Sequence, residues 1–241
     1  MTHYDLSTIK FIYFDLDDTL LDHKSAQKTA LEKTLQHLSY LQHIPLSEFQ
    51  SAYYEHNQEL WGLYNHGKIT KEELKYRRIA ETLEAFGIDK SHYKEVNEVY
   101  MRYYEQSWDW IEGAENAYRM AKQKLPVGII TNGFVETQYK KLEKFGLLED
   151  GAQTIVSEEV GYLKPNPRIF EYAIEKAGVE PFEVLHVGDS YESDIQGGDA
   201  AGVKTAWYIN GQQISQNGKA DIVFDDFSKF SRLLQNNISH S

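Results

Sequence analysis

Lys10–Asp18 reads KFIYFDLDD, and the organisation of the whole chain follows from how that stretch is placed. The run Lys10–Asp15 is short, aromatic and β-rich, and it ends abruptly in acids, the pattern of a buried strand. Similar runs follow at Pro126–Thr131 (PVGIIT), Gln153–Ser157 (QTIVS), Val184–Gly188 (VLHVG) and Val203–Tyr208 (VKTAWY), with Asp221–Phe224 as a candidate short edge strand. Helical segments separate the later runs. Val135–Phe145 places Tyr139, Leu142 and Phe145 on one face and stops at Gly146; Pro167–Ala177 begins with a proline tolerated at N1 and stops at Gly178. Strands alternating with helices predict an α/β fold with a parallel, doubly wound sheet and a ligand site at the carboxyl ends of its strands.

One stretch breaks the alternation. From Ser25 to Trp108 the periodicity is helical and no strand pattern intervenes. Leu31, Leu35 and Leu38 recur on one face, and Phe49, Tyr53, His56, Leu60 and Leu63 on another. Ser47 with Gln50, and Thr70 with Glu73, have the spacing of capping boxes. The division expected is a core of residues 1–22 and 109–241, with residues 23–108 inserted after the first strand as a helical cap. Aromatics are dense in the insert, and at helical spacing they read as packing. Trp61 and Tyr64, beside the turn at His66–Gly67, are the exceptions, as candidate substrate contacts.

The composition narrows the classes of function. Of 241 residues, 41% are apolar and 26% charged, as in ordinary globular proteins. No apolar run approaches the roughly 18 residues of a membrane span, and no signal pattern opens the chain. Cysteine is absent, which removes disulfides and thiolate metal sites and, with the lack of a signal, points to the cytoplasm. A net charge of −12 argues against a nucleic-acid polymer as partner, because such proteins need a basic face. An anionic substrate therefore needs a locally cationic site built from a metal, a lysine or helix N-termini.

Four groups of residues carry candidate chemistry. Asp15-Leu16-Asp17-Asp18-Thr19 puts Asp15 and Asp17 two apart, a spacing that on a strand turns both to one side. Carboxylates held together need a cation, and hard oxygen ligands without cysteine suit Mg²⁺. An Asx turn or helix cap explains the tripeptide D-D-T as well, so the pair by itself leaves both open. His186–Asp194 (HVGDSYESD) again sets an acid, Asp189, directly after a strand at the same edge, with Asp194 expected in the first turn of the next helix. Thr131-Asn132-Gly133 offers a hydroxyl, backbone N–H groups and a glycine turn into a helix, a possible anion cradle or an ordinary strand-to-helix turn. In Gly161–Pro167 (GYLKPNP), Pro165 biases Lys164 away from helix and fixes it in a loop at the sheet's edge.

In this order, FDLDDTL, ITNG, GYLKPNPRIF and VGDSYESD resemble the four motifs of the haloacid dehalogenase-like hydrolase superfamily. The resemblance spans nearly the whole chain and implies a Rossmann-like core with an α-helical cap between the first and second motifs. It implies that Asp15 is the nucleophile that becomes an aspartyl phosphate, and that Asp17 is the general acid and then the base. It further implies Mg²⁺ held by the Asp15 carboxylate, the Asp17 backbone carbonyl and Asp189, with Asp194 direct or through water. Thr131 and the Asn132 backbone would bind phosphate oxygens and Lys164 would stabilise their charge.

Dehalogenases of this superfamily generally lack the second aspartate of the first motif, so Asp17 favours a phosphatase. A phosphomutase uses the same pair, and a silent binding protein would not need every position filled. The segment LWGLYNHGKIT…YRR, with Leu60, Trp61, Gly67, Thr70 and Arg78, resembles the pyrimidine 5′-nucleotidase branch. Hence the expected partner is a small phosphomonoester such as UMP, dUMP or dTMP, with Trp61 and Arg78 as cap contacts. The rival substrate class is a small sugar phosphate or phosphoglycolate. The oligomeric state stays open between a monomer and a weak dimer.

Overall fold

The computed structural model describes residues 6–211 and 219–237. Strand β1 (Phe11–Phe14) opens the sheet. The chain then runs through helices α1 (His23–His37), α2 (Leu46–Asn65), α3 (Lys71–Ala85) and α4 (Tyr93–Gln106). It continues as α5 (Ala114–Lys124), β2 (Val127–Thr131), α6 (Val135–Lys144), β3 (Gln153–Val156), α7 (Ser157–Val160) and α8 (Pro167–Ala177). Strand β4 (Val184–Gly188), a π-helical turn (Tyr191–Gln196), α9 (Gly197–Ala200), β5 (Lys204–Tyr208), β6 (Ile222–Phe224) and α10 (Phe227–Asn237) complete it.

The six strands form one sheet in the order β3-β2-β1-β4-β5-β6, and every pairing is parallel. Alternation along β1 divides the core. Ile12 and Phe14 face a cluster that includes Ala117 and Tyr118 of α5 and Phe227 and Phe230 of α10. Phe11 and Tyr13 face the other side, against Ile169, Phe170 and Ala173 of α8. Both faces of the central strand are therefore covered by helices, which is why its residues read as one apolar run instead of an alternating one. Phe14 lies beside Ile129 on one flank and Val187 on the other. This register brings the residues that follow β1, β2 and β4 to a single edge of the sheet.

The expected edge strand is present as β6. Ser157, read as the end of a strand, instead opens α7. The chain divides into two compact units, one containing the sheet (through Asp22, and from Trp110 on) and one of His23–Asp109. In the second unit α1 packs on α4 and α2 on α3. Leu31, Leu35, Leu38, Phe49, Tyr53 and Leu60 are buried there.

The two capping signatures fare differently. Thr70 Oγ1 accepts from the Glu73 N–H at 3.1 Å, and Glu73 Oε2 accepts from the Thr70 N–H at 2.7 Å. Ser47 does not cap α2. That helix begins at Leu46 after Pro45, so Ser47 already lies in the first turn and the N-cap carries no side-chain bond. The face of α6 also differs from expectation. Its buried residues are Gln138, Lys141 and Leu142, while Tyr139 turns out to meet the Glu159 carboxylate at 3.2 Å.

Candidate active site

β1 delivers Asp15 to the sheet edge, where its N–H donates to the Val187 carbonyl at 2.8 Å. The backbone then leaves the strand. Leu20 and Leu21 N–H groups both donate to the Leu16 carbonyl, and the Asp18 N–H donates to the Leu21 carbonyl at 2.7 Å. Asp18 takes a left-handed φ of 63° within this tight turn, a conformation that aspartate tolerates better than most residues. Asp15 and Asp17 thus do not face the same way along a strand. The turn sends their carboxylates to different lysines.

Asp15 Oδ1 lies 2.5 Å from Lys164 Nζ, and the same ammonium reaches Asp194 Oδ1 at 2.6 Å. Lys164 is only 3% exposed. Its loop is fixed by Asn132, whose side-chain Nδ2 donates to the Lys164 carbonyl and whose Oδ1 accepts from the Lys164 N–H, both at 2.9 Å. A cis peptide joins Lys164 to Pro165. Asp194 is not in the first turn of a regular helix. It sits in the π-helical turn, whose wider coil folds its side chain back onto the loop, and Oδ2 accepts from the Ser190 N–H at 3.0 Å. A Cβ at position 188 would fall 2.2 Å from Asp194 Cγ, so only glycine leaves room for that return. His186, from inside β4, completes the cluster through Nε2, 2.9 Å from Asp194 Oδ1.

Asp17 is held separately. Lys141 Nζ lies 2.6 and 2.8 Å from its two carboxylate oxygens, and Gln138 Nε2 donates to Oδ2 at 3.0 Å. The same amide nitrogen lies 2.9 Å from Thr131 Oγ1 and 3.0 Å from the Asn132 carbonyl oxygen. Gly133 does not offer its N–H outward, because that group donates to Ser157 Oγ at 3.3 Å. What glycine provides there is space: a Cβ would lie 2.4 Å from Gln138 Nε2. The Val135 N–H at the start of α6 is taken by Glu158 Oε2 at 2.6 Å. Of the N–H groups in the cradle expected at 131–133, that of Gly133 is therefore already engaged.

Charges in this pocket are strongly unequal. Burial pushes the Asp15 carboxyl well above the usual range; Lys164 opposes this, while Asp194 and Asp189 add repulsion. Burial acts on Asp194 in the same sense, but the Lys164 ammonium and the His186 hydrogen bond outweigh it and hold that carboxyl low. Burial disfavours the Lys164 cation, yet Asp15 and Asp194 keep it protonated and raise its pKa. Burial lowers the His186 pKa, which leaves its ring neutral near pH 7.

Carboxylate oxygens of Asp15, Asp189 and Asp194 all lie within 4.8 Å of one another, and all three residues are buried. With all three ionised, the carboxylates against one Lys164 ammonium leave two negative charges, a deficit that suits a hard dication with oxygen ligands. The Asp17 carboxylate is not among these three. Asp194 already accepts from Lys164, His186 and Ser190, which favours contact with an ion through water. Thr19 Oγ1, buried 3.5 Å from Asp189 Oδ1, adds a neighbour the sequence did not single out.

Sequence reasoning also missed Gln138, Lys141, His186 and Ser157. Lys141 was hidden because a lysine on a short amphipathic helix ordinarily reads as solvated. The available signal was that Leu142 cannot face the core without carrying its neighbour partway round. Trp61 and Arg78 belong to the helical unit. Trp61 packs edge-on against Tyr64 at 5.6 Å between ring centres, and the Arg78 guanidinium lies 5.9 Å from the centre of the Tyr100 ring.

The family model for haloacid dehalogenase-like hydrolases matches residues 9–202. The HAD-hydrolase YfnB of Bacillus subtilis is 34% identical over 200 residues, covering 81% of this chain and 82% of its own. A crystal structure of YfnB bound to magnesium superposes with a TM-score of 0.78 at 29% identity, covering 94% of this chain and 98% of the other. The pyrimidine 5′-nucleotidase YjjG of Escherichia coli is 35% identical over 198 residues, covering 82% of this chain and 84% of its own. A glyceraldehyde 3-phosphate phosphatase of Pyrococcus furiosus is 29% identical, covering 94% and 93%. The chain belongs to the haloacid dehalogenase-like hydrolases, and it is an enzyme of their phosphatase type.

Proposed function

We propose that this phosphatase is Mg²⁺-dependent, works through an aspartyl phosphate on Asp15, and acts on pyrimidine nucleoside 5′-monophosphates. The observation that carries the first two parts is the separation of the two aspartates. Asp15 shares an ammonium and a three-carboxylate cluster, while Asp17 is held apart by its own lysine. A nucleophile and a proton carrier need such different environments.

In the first half-reaction an Asp15 carboxylate oxygen bonds to phosphorus as the ester P–O bond breaks, and the departing oxygen takes the proton carried by Asp17. In the second, water gives a proton to the Asp17 carboxylate as its oxygen bonds to phosphorus, and the Asp15–phosphorus bond breaks. Thr131 and the Asn132 backbone orient the phosphoryl oxygens, and Lys164 balances their charge. Positioning and electrostatics of this kind supply most of the catalysis in phosphoryl transfer. Mg²⁺, held by Asp15, Asp189, the Asp17 carbonyl and Asp194 through water, would neutralise charge shared between the nucleophile and the phosphoryl group.

The nucleotide assignment rests on likeness to YjjG and on the helical unit, where Trp61 and Arg78 are the proposed contacts. Arg78 Nε is buried without a hydrogen-bond partner, an unsatisfied donor that marks this arginine for test by substitution. Likeness to the Pyrococcus phosphatase supports a small sugar phosphate as the second reading. A panel of phosphomonoesters assayed with Mg²⁺ separates them. UMP, dUMP and dTMP should lead, and a strong preference for phosphoglycolate or hexose phosphates would overturn the nucleotide assignment.

A further inference from the structure

Helix α6 carries Gln138 and Lys141 three residues apart, so both project from one face. That face points inward, and the two residues are only 2% and 1% exposed. Burying an ammonium is costly, and a buried ion pair is on average no more stable than the apolar side chains that could replace it. Leu142 next door shows that apolar packing is available on this helix. The lysine therefore calls for a reason other than stability.

Its partners supply one. Lys141 Nζ grips both oxygens of Asp17, and Gln138 Nε2 donates to one of them. The orientation of the glutamine amide is fixed by its surroundings. Flipping it would set Oε1 against the Asn132 carbonyl, which has no proton to give, and against Asp17 Oδ2, which has none while that carboxylate is ionised. Gln138 thus ties the Asp17 carboxylate to Thr131 and Asn132 through one amide.

We propose that Lys141 and Gln138 are positioning residues that set where the Asp17 carboxyl stands relative to the phosphate-binding turn, and so govern proton delivery to the leaving group. This rests on the phosphatase reading above, in which Asp17 protonates the departing oxygen. The step is the first half-reaction already described: the P–O ester bond breaks, and the Asp17 proton passes to the oxygen that leaves.

A positioning role predicts dependence on the leaving group. An alkoxide needs its proton, whereas p-nitrophenolate departs without one. Lys141→Met should lower kcat/KM, which reads the first half-reaction, about 10²-fold for the best alkyl phosphomonoester of the panel and tenfold or less for p-nitrophenyl phosphate, because positioned acid–base catalysis contributes on that scale; kcat should fall for both wherever hydrolysis of the aspartyl phosphate limits, since Asp17 is the base in that step. Asp17→Asn should show the same selectivity, and the double variant should be little slower than Asp17→Asn alone, since residues acting as a unit are not additive. An equal fall in kcat/KM for both substrates in Lys141→Met, with the full factor repeated on top of Asp17→Asn, would reduce the pair to a structural role and overturn the proposal. If Asp17→Asn itself shows no leaving-group selectivity, the acid assignment falls and takes the clamp with it. Should Lys141→Met fail to fold, Gln138→Leu carries the same three comparisons.

Discussion

Asp15, the proposed nucleophile, has its carboxyl pKa raised by burial and by two neighbouring acids, which Lys164 offsets only in part. Asp15→Asn removes the nucleophile while preserving shape, and phosphate release should fall to background. The raised pKa also couples metal binding to pH. Relative to the unfolded chain, folded Asp15 holds its proton to higher pH, so its ionisation costs stability that is regained as pH falls through the raised value. A cation needs the ionised form, and protons therefore compete with it. Mg²⁺ should raise the melting temperature more at pH 8 than at pH 5, as thermal scans with and without the ion would read. An equal shift at both values would separate the ion from these carboxylates.

At the scale of elements, short loops do the positioning. The strand-to-helix turn at 131–134 holds Gln138 against its backbone, and Gly133 is what makes the contact fit. Gly133→Ala should destabilise the protein by about 1–3 kcal/mol, the usual range for forcing one extra carbon into a packed place. It should also lower turnover by displacing Gln138. In the helical unit, the Thr70–Glu73 box satisfies the first turn of α3, and Thr70→Ala should cost about 1 kcal/mol, measured as a lower melting temperature with catalysis at the sheet edge unchanged. Elements were legible in the sequence because each strand is a short apolar run and several helices stop at glycine. What local sequence could not show was the direction of Lys141 and Gln138 on α6. Their partner, Asp17, lies more than 120 residues away, and helical periodicity carries no information about it. Ser47 differs for a local reason: α2 starts at Leu46, directly after Pro45, and this puts Ser47 inside the first turn instead of at the cap.

For the whole molecule, the sheet order brings three separate loops to one edge, and the ordered motifs made that edge readable in advance. The net charge of −12 acts over a longer range than any one loop. Anionic substrates approach against it; among the described residues Lys141 and Lys164 oppose it at the sheet edge, together with the proposed cation. Raising ionic strength toward 0.15 M shortens the Debye length to about 8 Å, so kcat/KM for a nucleotide should rise a few-fold. A fall with salt would mean that the local cationic field reaches out past the acidic surface. Among the described residues no helix is long and apolar enough to cross a membrane.

The claim beneath all of this is that Asp15 carries the phosphoryl group. Acid quench during turnover of a preferred phosphomonoester with Mg²⁺, followed by borohydride reduction and peptide mapping, tests it most directly. The account predicts a reduced acyl phosphate at Asp15 that needs both substrate and metal and is absent in Asp15→Asn. Continued phosphate release with no modification in the Asp15 peptide would contradict it.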